Sequence, residues 1–161
     1  MTLGIFGRAA PHYIRMGWPV LPLKGKLPLT PHGSKDATLD ERQAAKWAEQ
    51  WPNANIGVAT GVRFFVLDVD TEGQENFDHL RHQYGIPDTI EQVTGSGGKH
   101  LLFQLPDFPV RNSAGLVAPG IDVRGAGGYI VVEPSLHPDT QRVKARRILR
   151  GDTIQGDGVA L

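Results

Sequence analysis

Phe64-Phe65-Val66-Leu67-Asp68-Val69-Asp70 is an apolar run that ends in two carboxylates one residue apart. An extended chain rises about 3.3 Å per residue and alternates its faces, so Asp68 and Asp70 leave the same side, roughly 7 Å apart at Cα. That spacing puts them within reach of one divalent cation or a pair. Two anions held so close repel each other and call for a cation. A plainer role is also open, in which Asp70 or Thr71 caps the helix that follows the strand.

Upstream of this strand, Phe6, Ala9, Ala10, Tyr13 and Ile14 recur at helical spacing, with Gly17 as the stop. Trp18 to Leu23 reads as an edge strand because it carries Pro19 and Pro22, and a loop bearing Lys24, Lys26, His32 and Lys35 follows. Thr38 and Glu41 form a capping-box pattern ahead of a helical face of Ala44, Trp47, Ala48 and Trp51. Downstream, Thr71 and Gln74 repeat that pattern, with Phe77, Leu80 and Tyr84 as the buried face and Gly85 as the stop. Val93-Thr94, Lys99 to Leu105, Ile121 to Arg124 and Tyr129 to Glu133 then read as short strands between glycine-rich turns. Helices early and strands late predict an α+β fold with a mainly antiparallel sheet.

A chain of 161 residues with 40% hydrophobic content fits one domain, expected over 1–140, with 141–161 as a basic tail or linker toward a further module. Its 17 Lys and Arg balance 17 Asp and Glu, so nucleic-acid binding would need a local basic surface. The chain has no cysteine, which excludes disulfides and thiolate zinc sites and is compatible with a cytoplasmic location. No apolar run is long enough for a membrane helix, so no membrane partner is expected.

Three groupings carry chemistry. Asp122, on a second short strand, adds a third carboxylate to Asp68 and Asp70, and three carboxylates can hold two Mg²⁺ or Mn²⁺ ions for phosphoryl transfer to a 3′-hydroxyl. Thr94-Gly95-Ser96-Gly97-Gly98-Lys99-His100 lacks the Walker A spacing, yet its glycine amides, Ser96 and Lys99 could approach phosphate oxygens and His100 could donate to a triphosphate. A simple hairpin loop is the other reading of this turn. Arg124 shares a strand face with Asp122, where it could ion-pair or grip a phosphate. Glu133 competes as a metal ligand, although its position before Pro134 favours the surface. His12, His79, His82 and His137 show no metal-ligand spacing.

In order along the chain, Lys24-Gly25-Lys26-Leu27-Pro28, His32 to Thr38, Trp51 to Gly57, Val66 to Asp70, Ser96 to His100 and Gly120 to Arg124 resemble the bifunctional DNA primase/polymerase N-terminal domain. That is the prim-pol branch of the archaeo-eukaryotic primase superfamily. The resemblance implies an RRM-like catalytic module with flanking helices and makes Asp68, Asp70 and Asp122 the ligands of the catalytic metals. It also implies that His100, with Ser96, Gly97, Lys99 and Arg124, binds the incoming nucleotide. Nucleoside triphosphates, a single-stranded DNA template and primer, and a fused or separate helicase of a phage, plasmid or other mobile element are the implied partners.

Two alternatives come from other classes. Leu67-Asp68-Val69-Asp70-Thr71 also resembles the nucleophile loop of haloacid-dehalogenase-like phosphatases, with Asp68 attacking phosphate. A non-catalytic module that binds nucleotide or single-stranded DNA is the other.

Overall fold

The computed structural model describes residues 2–137 and 144–146. The elements run α1 (Ile5–Arg15), β1 (Val20–Lys24), β2 (Leu27–Pro28), α2 (Glu41–Gln50), β3 (Asn55–Ala59), β4 (Phe64–Val69), α3 (Gln74–Tyr84) and β5 (Ile90–Val93). The chain continues through β6 (Lys99–Gln104), β7 (Ser113–Ala118), β8 (Ile121–Arg124), β9 (Tyr129–Val131) and β10 (Lys144–Arg146). The fold is α+β, and the strand pairs in both sheets are antiparallel. The strands form two sheets, β2-β1-β3-β9 and β10-β5-β6-β4-β8-β7. Within the segment expected as a tail, Lys144–Arg146 pairs with β5 at the edge of the larger sheet. The remainder of that segment lies outside the described residues.

Alternation along β4 organises the core. Phe64 and Val66 turn to one face, where they are buried with Ile90 and Leu102 against Val20, Ile56, Val58 and Ile130 of the smaller sheet and Val132 just beyond β9. Phe6 and Ala10 of α1, Ala44 and Trp47 of α2, and Trp18 and Ala54 complete this cluster. Leu67 and Val69 turn to the opposite face, joining Leu101, Ile121 and Phe77 of α3. Each such side chain, once fully buried, contributes about 1.5–3 kcal/mol. Asp68 holds the next position on the Phe64 and Val66 face, where the apolar filling between the sheets gives out.

Three local expectations are corrected. The Trp18 to Leu23 segment is not an edge strand, since β1 lies between β2 and β3. Pro22 is tolerated there because its partner Ile56 directs its N–H to Ser135 Oγ and its carbonyl to the N–H of Val132, so β3 asks no bond of the proline. The cap of α2 is Asp40, whose side chain accepts from the Arg42 N–H, while Thr38 Oγ1 accepts from the Asp40 N–H. Tyr84 is 69% exposed, and α3 is anchored instead by Phe77, with the Arg81 guanidinium 4.9 Å from its ring centre. Pro11 sits inside α1 without ending it.

Candidate active site

The ladder register gathers the site. Asp68 on β4 stands opposite His100 on β6 and, on its other side, opposite Asp122 on β8, while Gln92 on β5 stands opposite His100. Paired residues share a face, so Gln92, His100, Asp68 and Asp122 form one transverse row. Arg124, two residues beyond Asp122, projects from that same face. The row borders a cavity of about 430 Å³ between the two sheets, whose wall includes Asp68, Asp70, Gln92, His100, Ser96 and Arg124.

Arg124 bridges the two acids. Its Nη2 donates to Asp68 Oδ2 at 3.2 Å and to Asp122 Oδ2 at 3.0 Å. The other oxygen of Asp122 accepts from the Gly115 N–H at 2.9 Å, and the other oxygen of Asp68 lies 3.5 Å from His100 Nε2. Burial pushes the Asp68 carboxyl toward higher pKa, but His100 and Arg124 outweigh it and hold the group below the ordinary 3.8. Asp68 is therefore ionised throughout the neutral range. Tyr129 on the cavity wall moves the other way, raised by burial against the opposing pull of Arg124, and its hydroxyl donates to the Lys26 carbonyl.

Asp70 plays the capping role left open by the sequence. Its Oδ1 accepts from the Gly73 N–H at 2.8 Å, starting the 3₁₀ turn Thr71–Gly73 that leads into α3, so Thr71 is not the cap. It still lines the cavity with Asp68. Asp122 adjoins Asp68 but is not part of the cavity wall. In donor type these carboxylates suit Mg²⁺ or Mn²⁺, which take hard oxygen ligands. The Arg124 guanidinium holds positive charge between Asp68 and Asp122 where a cation was expected, and among the described residues no group of three or more His, Asp or Glu side chains is gathered closely enough to hold a metal ion. Asp68 and Asp122 thus fit a metal in chemistry and register, in competition with Arg124, whereas tight convergence of all three acids is not seen.

The glycine-rich turn is a hairpin loop between β5 and β6, closed by Thr94 N–H to the Gly98 carbonyl at 2.9 Å and Gly97 N–H to the Thr94 carbonyl at 3.0 Å. Gly98 packs so tightly that a Cβ there would sit 2.6 Å from the Val69 carbonyl oxygen. Ser96 is exposed on the cavity wall, its hydroxyl 3.2 Å from Thr94 Oγ1. Lys99 is brought elsewhere. Strand alternation turns it to the face opposite His100, where Nζ pairs with the buried Glu91 at 3.1 Å. Neither Lys99 nor Gly97 borders the cavity, so the expected cluster keeps Ser96 and His100 alone from this loop, with Thr94 and Gly95 added.

Sequence reasoning missed Gln92, Asn112, Tyr129 and His137, all on the cavity wall, and gave Lys26 little weight. Gln92 was detectable only through the pairing of β5 with β6, which a single chain does not announce. Of the other basic residues in the early loop, Lys24, Lys35 and His32 do not border the cavity, and His32 pairs with Asp36 at 3.1 Å. Glu133 is exposed, as its place before Pro134 suggested.

A family model described as bifunctional DNA primase/polymerase, N-terminal, matches residues 10–153. The match covers most of the chain, which belongs to this family. Family membership indicates DNA primase/polymerase activity in general terms. No curated protein matches the sequence significantly. Among the described residues no helix is long and apolar enough to cross a membrane.

Proposed function

We propose that this domain performs template-directed nucleotidyl transfer, adding nucleotides from triphosphates to a DNA primer in the cytoplasm during replication of a mobile element. The observation that carries this reading is the row of Asp68, Asp122, His100 and Arg124 beside a cavity large enough for a nucleotide. Two acids and two potential hydrogen-bond donors to phosphate on one sheet face meet the main demand of phosphoryl transfer, which is positioning plus charge stabilisation.

Each residue has a part in this account. Asp68 and Asp122 would hold Mg²⁺ or Mn²⁺, with Asp70 at the cavity wall as the third acid. When bound, such ions supply charge neutralisation on the transferring phosphoryl group and activation of the primer hydroxyl. Arg124, already within reach of both carboxylates, presents a planar set of donors suited to a phosphate. His100 donates from its ring, and Ser96 offers a hydroxyl from the loop. The template and primer would approach the cavity, whose wall includes Lys26, and a helicase, fused or separate, would supply single-stranded template.

The test is a labelled primer annealed to a longer template, incubated with deoxynucleotides or ribonucleotides and Mg²⁺ or Mn²⁺. Growth of the primer that follows the template sequence is expected. A domain that binds DNA with no primer growth under any of these conditions would instead be the non-catalytic module. The family match supports this reading over the phosphatase one.

A further inference from the structure

Gln92 is buried in the row beside His100, and nothing in the proposed chemistry uses it. Its side-chain amide touches three groups. Oε1 accepts from the backbone N–H of Glu133 at 3.3 Å, and Nε2 donates to the carbonyl of Val131 at 2.8 Å. Those two backbone groups settle which way the amide faces, because an N–H requires an acceptor and a carbonyl requires a donor. Nε2 also lies 3.2 Å from His100 Nδ1. An amide NH₂ only donates, so the ring nitrogen it meets must be the one without a proton.

We propose that Gln92 is a positioning residue that holds His100 as the Nε2–H tautomer and aims that N–H toward the cavity wall beside Asp68. The proposal rests on the nucleotidyl-transfer reading for its functional consequence, though not for the tautomer itself. His100 is also buried, so the ring has little freedom to escape this constraint. At 3.5 Å the contact of Nε2 with Asp68 Oδ1 is too long to be a tight hydrogen bond, which leaves the Nε2–H available to a phosphate oxygen. A ring in the other tautomer would turn a lone pair toward an anionic triphosphate and repel it. Gln92 thereby prepares one donor before the ligand arrives, and orients the side chain without touching the substrate.

Nitrogen-15 spectra of the His100 ring test the tautomer directly. The wild-type domain should show an unprotonated signal at Nδ1 and a protonated one at Nε2. In Gln92→Met the two signals should shift toward each other as the tautomers exchange, and in Gln92→Glu, which sets an acceptor against the ring, Nδ1 should gain a proton. A protonated Nδ1 in the wild type, or a ring unchanged in both variants, would overturn the proposal. Affinity for a deoxynucleoside triphosphate with Mn²⁺ supplies the functional arm. Gln92→Met should weaken it about tenfold in the wild-type background and leave it unchanged in a His100→Ala background. Equal losses in both backgrounds would show a merely structural role and overturn the positioning claim. A wild-type domain that binds no nucleotide would defeat the nucleotidyl-transfer reading, and the ring signals alone would then uphold or overturn the tautomer.

Discussion

At Arg124 a single nitrogen sits within 3.2 Å of Asp68 and 3.0 Å of Asp122, so one cation balances two carboxylates on neighbouring strands. Removing it in Arg124→Ala leaves Asp68 and Asp122 facing each other unneutralised. The folded-state pKa of Asp68 is depressed, so the stability it contributes is present above the ordinary 3.8 and is lost as pH falls through the lower folded value. With Arg124 gone that folded value rises, the difference shrinks, and acid unfolding followed by circular dichroism should begin at a higher pH. Nucleotide affinity should fall about tenfold in the same variant, through loss of a charged hydrogen-bond donor to phosphate. An unchanged acid transition would show that the bridge does not stabilise the fold. The strand alternation that put Asp122 and Arg124 on one face was visible in the sequence. That the arginine would also reach across to Asp68 depended on the β4 and β8 register, which was not.

The elements that set this register meet at a tight crossing. Gly120, just before β8, has φ +76°, and a Cβ there would sit 2.5 Å from the Gly73 nitrogen and 2.7 Å from Asp70 Oδ1. Gly120→Ala should therefore destabilise the domain by about 1–3 kcal/mol and displace the Asp70 cap, a loss measurable as a lower thermal midpoint. A midpoint equal to the wild type would contradict this packing. At this scale much was legible beforehand: α2 from the period of Ala44, Trp47 and Ala48, α3 from Phe77 and Gly85, and β4 from its apolar run into Asp68. The misses have physical causes. Pro22 disguised an interior strand because a proline is harmless where the neighbour's hydrogen bonds point elsewhere. The strand β7 gave no pattern, since Leu116 is 82% exposed and pairing with β8 is made only at Ser113 and Ala118. Lys99 was placed with His100 by adjacency, although adjacent residues in a strand face opposite sides.

Among the described residues, two antiparallel sheets share a core, and residues of both also line a cavity, so the polar row follows the apolar filling. Phe64 and Val66 are fully buried on that face, and Asp68 follows at the next position, which joins the core directly to the site. The chain belongs to a DNA primase/polymerase family, and in the row Asp68 is the residue paired with both His100 and Asp122. The most direct measurement is single-turnover incorporation of one nucleotide into a primer–template by Asp68→Asn beside the wild type, at saturating DNA and with thermal midpoints recorded for both. A fall of about a hundredfold or more in rate, with the fold retained, is the predicted result. Incorporation by a folded Asp68→Asn at the wild-type rate would contradict it.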